Sequence, residues 1–239
     1  MLVAVVSDMH LGRRDRLDRF DRTPGSVSRF IKLLNYLENN VDRIVLLGDV
    51  FETLRGRNLR SAQDELKGII RAYPDISRRI FENPQYKYVH GNHDLVAGTM
   101  GIPDFHLIDE DGMRMLFFHG HQLDPISRGQ AKVSQFFIWL GGWLERMGVG
   151  ITSRLDGSPD ATILTETPKA GRFEKAAVVM AKEVGADVVV TGHTHLAKRL
   201  EIDSHLYLNS GTCVSGRREL LLLDTAAKIF RVVREPDFV

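Results

Sequence analysis

Five short apolar runs in this chain each stop at residues that can bind a cation or move a proton. Residues 2–6 lead into Ser7-Asp8-Met9-His10, and 43–47 lead into Gly48-Asp49-Val50-Phe51-Glu52. Residues 86–90 lead into Gly91-Asn92-His93-Asp94, and 113–118 into His119-Gly120-His121. The run 187–190 leads into Thr191-Gly192-His193-Thr194-His195. Six of the nine histidines stand at these places. Taken singly, each reads as a plain turn, such as an Asx turn beside a histidine. Taken together they point to one site. Short apolar runs are buried strands, and open α/β sheets bind ligands at the carboxyl edge of their strands.

The chemistry is that of a two-cation hydrolytic centre. Two ions ~3.5–4 Å apart need roughly seven protein ligands besides water and substrate. Asp8, His10, Asp49, Asn92, His119, His193 and His195 supply that number, with Asp49 bridging. Oxygen and imidazole donors without thiolate favour Mn, Fe, Co, Ni or Zn over Mg or Ca. The expected cofactor is therefore two divalent ions, manganese first. Such a pair makes a bridging hydroxide available near neutral pH. His93 has both a ligand and a catalytic reading, and Asp94 or Glu52 could orient it.

Composition narrows the field. The chain has 239 residues, 43% hydrophobic and 26% charged, with formal net charge +1. That places it among globular proteins and gives no global attraction for nucleic acid or an anionic membrane. One cysteine, Cys213, excludes a disulfide framework within the chain; it reads as a small buried apolar residue. The apolar start is cut short by Asp8, which does not fit a signal peptide. The longest apolar run, 136–144, falls short of the ~20 residues of a spanning helix. A cytoplasmic location is expected, with peripheral contact at the inner membrane face left open.

Helices must carry the chain between these strands. Residues 26–37 place Val27, Phe30, Leu33, Leu34 and Leu37 on one face. A helix over about 61–73 should end at Pro74, and another spans 172–184. Around Ala131–Met147 an apolar stripe leaves Ile138 and Trp139 outside it. With a polar loop over 150–168, this makes 122–169 a cap-like insertion over the site edge, within a single domain 1–239. The closely spaced strands after His195 are expected to add antiparallel pairs. Arg13–Arg22 holds five arginines against three aspartates. Arg13, Arg14, Arg55 and His121 are the candidates for holding an anionic substrate.

Asp-x-His, Gly-Asp-x-x-Glu, Gly-Asn-His-Asp, His-Gly-His and Gly-His-Thr-His, in this order, resemble the calcineurin-like metallophosphoesterase superfamily. The resemblance spans essentially the whole chain. It implies a four-layer α/β/β/α sandwich with two mixed sheets. It also implies a first metal held by Asp8, His10, Asp49 and His195, and a second by Asp49, Asn92, His119 and His193. The histidine matching His93 protonates the leaving group or stabilises the transition state in that superfamily. The segments around Gly48–Glu52 and His119–Asp124, with a helical insertion next, look like the UDP-2,3-diacylglucosamine pyrophosphatase branch, whose insertion holds acyl chains. His93 and Leu196 stand where that branch usually has arginine. These departures move the chain toward a general phosphodiesterase on small phosphorylated substrates. A nuclease is the alternative and a non-catalytic scaffold the remote one.

Overall fold

The computed structural model describes residues 1–55, 61–123 and 170–234. Its frame is set by strands that are apolar on both faces. In β1 (Leu2–Val6) and β2 (Arg43–Leu47) the last four residues of each are buried. Such strands need cover on both sides. Helix α1 (Ser26–Asn40) crosses over between them and buries Phe30, Leu33, Leu34 and Leu37, the face read from the sequence. β2 pairs in parallel with both β1 and β3 (Tyr86–Val89). Between β2 and β3 lie α2 (Ala62–Ala72) and α3 (Pro74–Glu82).

Helix α3 was not anticipated. Pro74 does end α2, but it also occupies the first turn of α3, where a missing N–H leaves no bond unmade. Two edge strands were also missed, β4 (Phe105–Glu110) and β7 (Lys198–Ile202). Neither is the buried run of an interior strand: β4 buries only Ile108, and β7 alternates half-buried with exposed residues. The remaining strands are β5 (Met113–Phe118), β6 (Val188–Thr191), β8 (His205–Asn209), β9 (Glu219–Asp224) and β10 (Ile229–Arg234).

Two five-stranded sheets result, in the orders β10-β9-β1-β2-β3 and β4-β5-β6-β8-β7. Both are mixed. The late strands add antiparallel pairs as expected, β9 to β1 and β7 to β8, while β8 runs parallel to β6. Alternation of side chains along each strand then builds three cores. Val3, Val5, Val45, Leu47 and Val89 meet Met115, Phe117, Val188, Val190 and Leu208 between the sheets. Ala4, Val6, Ile44 and Leu46 pack under α1–α3. Leu116, Phe118 and Val189 pack under α4 (Arg172–Glu183). This is the four-layer α/β/β/α sandwich. The predicted helix and loop of 122–169 lie almost entirely outside the described residues; only Gln122 and Leu123, in a 3₁₀ turn at His121–Leu123, fall within them. Among the described residues no helix is long and apolar enough to cross a membrane.

Cys213 is buried beneath the first sheet. Burial pushes its thiol up to about 12, so almost no thiolate exists at neutral pH, and the thiolate is the reactive form. The folded protein should leave an aromatic disulfide reagent unreacted at neutral pH and react once unfolded in guanidinium. Rapid reaction of the native protein would contradict this packing.

Candidate metal centre

Strand direction brings the chemical residues to one edge. β1, β2 and β3 run parallel side by side, so their carboxyl ends deliver Asp8, Asp49 and Asn92 with His93. β5 and β6, parallel in the second sheet, deliver His119, then His193 and His195. Loop backbones tie these ends together: Asp8 N–H donates to Gly48 O at 3.1 Å, His10 N–H to Asp49 O at 2.9 Å, and Gly192 N–H to His119 O at 3.0 Å. Five of the seven candidate ligands lie in the left-handed region: Asp8 (φ 52°), His10 (50°), Asp49 (51°), His193 (67°) and His195 (57°). Residues other than glycine rarely go there, Asp and His more readily than most. Such strain gathers at functional sites. Two glycines let the loops approach. A Cβ on Gly48 (φ 83°) would strike the His119 ring, and one on Gly91 would strike Asp49 Oδ1.

The side chains fall into groups around Asp49. Ligand atoms of Asp8, His10 and His195 lie within 4.8 Å of one another, as do those of Asp49, His119 and His193. Asp49 Oδ2 stands between them, 3.2 Å from His119 Nε2 and 3.7 Å from His10 Nε2. His195 Nε2 is 3.1 Å from Asp8 Oδ1, without the alignment of a hydrogen bond. Asp8 Oδ1, His10 Nε2, Asn92 Oδ1 and His119 Nε2 are buried and have no hydrogen-bond partner. Each such orphan costs ~1–3 kcal/mol. Four of them on candidate ligands fit a cation that would satisfy them together. Imidazole orientation fits as well. His119 Nδ1 is 2.8 Å from Leu47 O, and His10 Nδ1 is 3.1 Å from Glu52 Oε2. A proton on each Nδ1 leaves Nε2 free to ligate.

Electrostatics keep the carboxylates and His10 in ligating form, whereas Asp49 outweighs burial and raises His119 to about 10, so His119 must give up a proton to ligate. Burial opposes ionisation of Asp8 and Asp49. His195 and His119 beside Asp8, and His119 and His93 beside Asp49, outweigh it and hold both carboxyls below the usual range. Burial, and then the charge of His93, push His10 down to about 4, so it is neutral at neutral pH. Burial would also lower His93, but Glu52 and Asp49 outweigh it and raise His93 to about 9.

The sequence profile of the calcineurin-like phosphoesterases matches residues 1–197, which hold all five motifs. The chain belongs to the calcineurin-like phosphoesterase family. A Haemophilus influenzae protein named UDP-2,3-diacylglucosamine hydrolase is 22% identical over 217 residues, 80% of this chain and 81% of that one. One of the same name from Bordetella pertussis is 26% identical over 216 residues, covering 82% and 77%. Among solved structures, Vps29 of Chaetomium thermophilum is 16% identical over 98% of this chain and 94% of that one, with a TM-score of 0.47. At that score the likeness decides nothing about activity.

Glu52 is the carboxylate that faces His93. Its oxygens lie 2.9 and 3.0 Å from His93 Nδ1 and also hold His10. Asp94, the other candidate to orient His93, turns its carboxylate to loop backbone. Its carboxylate accepts from Val50 N–H at 2.7 Å, Gly91 N–H at 2.5 Å and the Tyr88 hydroxyl at 2.6 Å, with longer bonds from Asp49 and Phe51 N–H. It clamps the β2 and β3 loops. Arg13 is engaged by Glu65 at 2.9 Å, and Arg14 by Asp21 at 3.2 Å. Both serve local structure in the described residues. Arg55 is buried, 3.9 Å from Glu52, and His121 has its ring 5.6 Å from His119; these two stay beside the site.

Sequence reading missed the floor of the centre. Asn209 Nδ2 donates to Gly192 O at 2.6 Å and to Thr191 Oγ1 at 3.1 Å. Ser7 Oγ bonds Asp8 Oδ2 and lies 2.7 Å from Ser210 Oγ. Asn209 and Ser210 close a sixth apolar run, β8, which could have flagged them. Asp94→Ala strands several buried donors and should cost roughly 2–4 kcal/mol in urea unfolding. Unchanged stability with lost turnover would return Asp94 to the chemistry.

Proposed function

We propose that this chain is a two-cation phosphohydrolase that cleaves a phosphodiester or pyrophosphate bond. The carrying observation is the set of orphaned ligand atoms grouped on both sides of Asp49. Asp8, His10, Asp49 and His195 would hold one cation, and Asp49, Asn92, His119 and His193 the other, with manganese the first choice for this donor set. Bound there, such a pair supplies a reactive water and offsets charge on the phosphoryl oxygens. The chain's own residues do the rest. Asp49 holds the two ligand groups in register. Glu52 accepts from His93 Nδ1, which leaves the other ring nitrogen to give a proton to the leaving oxygen. Arg55 and His121 border the place where the substrate's remaining phosphate would lie.

The substrate class follows from the relatives: a nucleotide-lipid pyrophosphate or another small phosphorylated molecule. Their name supports it, while His93 and Leu196 broaden the class beyond that lipid. Nucleic acid is disfavoured because Arg13 and Arg14 are spent on acidic partners within the protein. The proposed setting is cytoplasmic, with peripheral contact at the inner membrane face. The insertion is read as a cap within a single domain.

His93→Ala should keep Mn²⁺ affinity in calorimetry and lose turnover of an aryl phosphodiester by ~10²–10⁴-fold. Metal content falling in step with activity would make His93 a ligand instead. Glu52→Gln, which loosens His10 as well, should weaken the cation by ~10–100-fold besides slowing turnover. A Mn²⁺ substrate panel of UDP-diacylglucosamine, cyclic nucleotides, aryl esters and single-stranded DNA should favour the small esters or the lipid. DNA as the best substrate would replace this reading with a nuclease.

A further inference from the structure

One cluster of basic side chains lies away from the candidate metal centre and lacks counter-charge. Arg43 opens β2, Lys87 is the second residue of β3, and His106 the second of β4. Side chains two apart on a strand share a face. Val45, Val89 and Ile108 face the core between the sheets, so Arg43, Lys87 and His106 face the same interior. Val45 pairs with Lys87 across β2 and β3, which makes Arg43 and Lys87 diagonal neighbours. β3 and β4 are the edge strands of the two sheets on this side. His90 N–H, just past β3, donates to Pro103 O, just before β4, at 3.0 Å, so the two edges meet there. All three residues are half-buried.

Among the described residues, no carboxylate pairs with Arg43 or Lys87. The neighbouring Asp42 carboxylate accepts from Leu2 N–H at 2.6 Å. Burial lowers the His106 imidazole, and Lys87 and then Arg43 lower it further; no acid acts on it. Like charges set side by side on one sheet face cost stability. Half-burial beside an apolar core raises that cost. An oxyanion would reverse its sign. Arg43 offers a planar fork, Lys87 a point charge, and the second ring nitrogen of His106 a donor once protonated.

We infer that Arg43, Lys87 and His106 form a binding slot for a small dianionic oxyanion, with inorganic phosphate as its simplest occupant, where the edges of the two sheets meet. Arg43 opens β2 and Leu47 closes it before the loop that carries Asp49, ~13 Å of extended strand away, so the slot is separate from the candidate metal centre. The test needs neither cation nor turnover, and its failure would leave the proposed hydrolysis standing. Metal-free protein is titrated with phosphate while the His106 side-chain resonance, identified by its loss in His106→Gln, is followed by NMR. Sodium chloride at equal ionic strength is the control. Phosphate should move the resonance saturably and raise the imidazole's apparent pKa. Lys87→Gln and Arg43→Gln, each checked for cooperative unfolding, should weaken binding by about tenfold. An equal shift with chloride, or full affinity in folded Lys87→Gln, would overturn the assignment. Uridine monophosphate binding as tightly as phosphate would still place a phosphoryl group in the slot and would identify a nucleotide as its source.

Discussion

The contact on which the site depends is the buried carboxylate of Asp49 set between imidazoles from both sheets. His10 follows β1, His119 follows β5, and both rings point Nε2 at the same Asp49 oxygen, at 3.7 and 3.2 Å. The other oxygen accepts from the His93 N–H at 2.8 Å, at the end of β3. One side chain thus joins loops from three strands of two sheets. Burying a carboxylate is costly unless charge and hydrogen bonds surround it. Here the surrounding groups are candidate ligands whose own nitrogens and oxygens are left unpaired. Polar atoms arranged this way make a poor structural network and a good cation cradle, because a cation pairs them all at once.

Loops bear the conformational cost and strands bear the rigidity. The left-handed residues Asp8, His10, Asp49, His193 and His195 sit immediately past strand ends whose preceding residues are fully buried. A left-handed turn after a rigid strand reverses the chain within one or two residues and aims the next side chain back over the sheet edge. Asp94 and Asn209 stabilise the turns from beneath, each spending its polar atoms on the backbone of the loops that carry ligands. Glu52 works differently, because both of its imidazole partners belong to the proposed chemistry. Loss of Asp94 acts through stability, whereas loss of Glu52 acts through orientation.

Legibility followed the physics of each feature. Buried strands announce themselves by apolar runs, and ligand-type residues at their ends were readable because so few side chains bind cations. Edge strands β4 and β7 hid because charged residues interrupt them, Asp109 and Glu110 in β4 and Lys198, Arg199 and Glu201 in β7. Helix α3 hid because the proline that stops one helix can start the next. The choice between Asp94 and Glu52 was open because it depends on which carboxylate points into the cleft, a matter of turn geometry rather than residue type. Charge counted along the chain also overlooks partners distant in sequence: Arg13 meets Glu65 on α2.

Because its ligands come from two sheets, the candidate centre exists only while those sheets stay packed. The apolar layer of Val5, Val45, Leu47, Phe117 and Val190 between them therefore sets the distance from Asp49 to His119 as firmly as any polar contact. Leu47 makes the link directly: its side chain lies in that layer, and its carbonyl accepts from His119 Nδ1 at 2.8 Å. Close-packed interiors transmit displacement rather than absorb it. A volume change at Leu47 would thus be felt both in the inter-sheet spacing and in the aim of a candidate ligand. The same packing brings the free edges of β3 and β4 together, where Arg43, Lys87 and His106 gather. The candidate metal centre and the proposed lateral slot are two consequences of one docking of sheet on sheet.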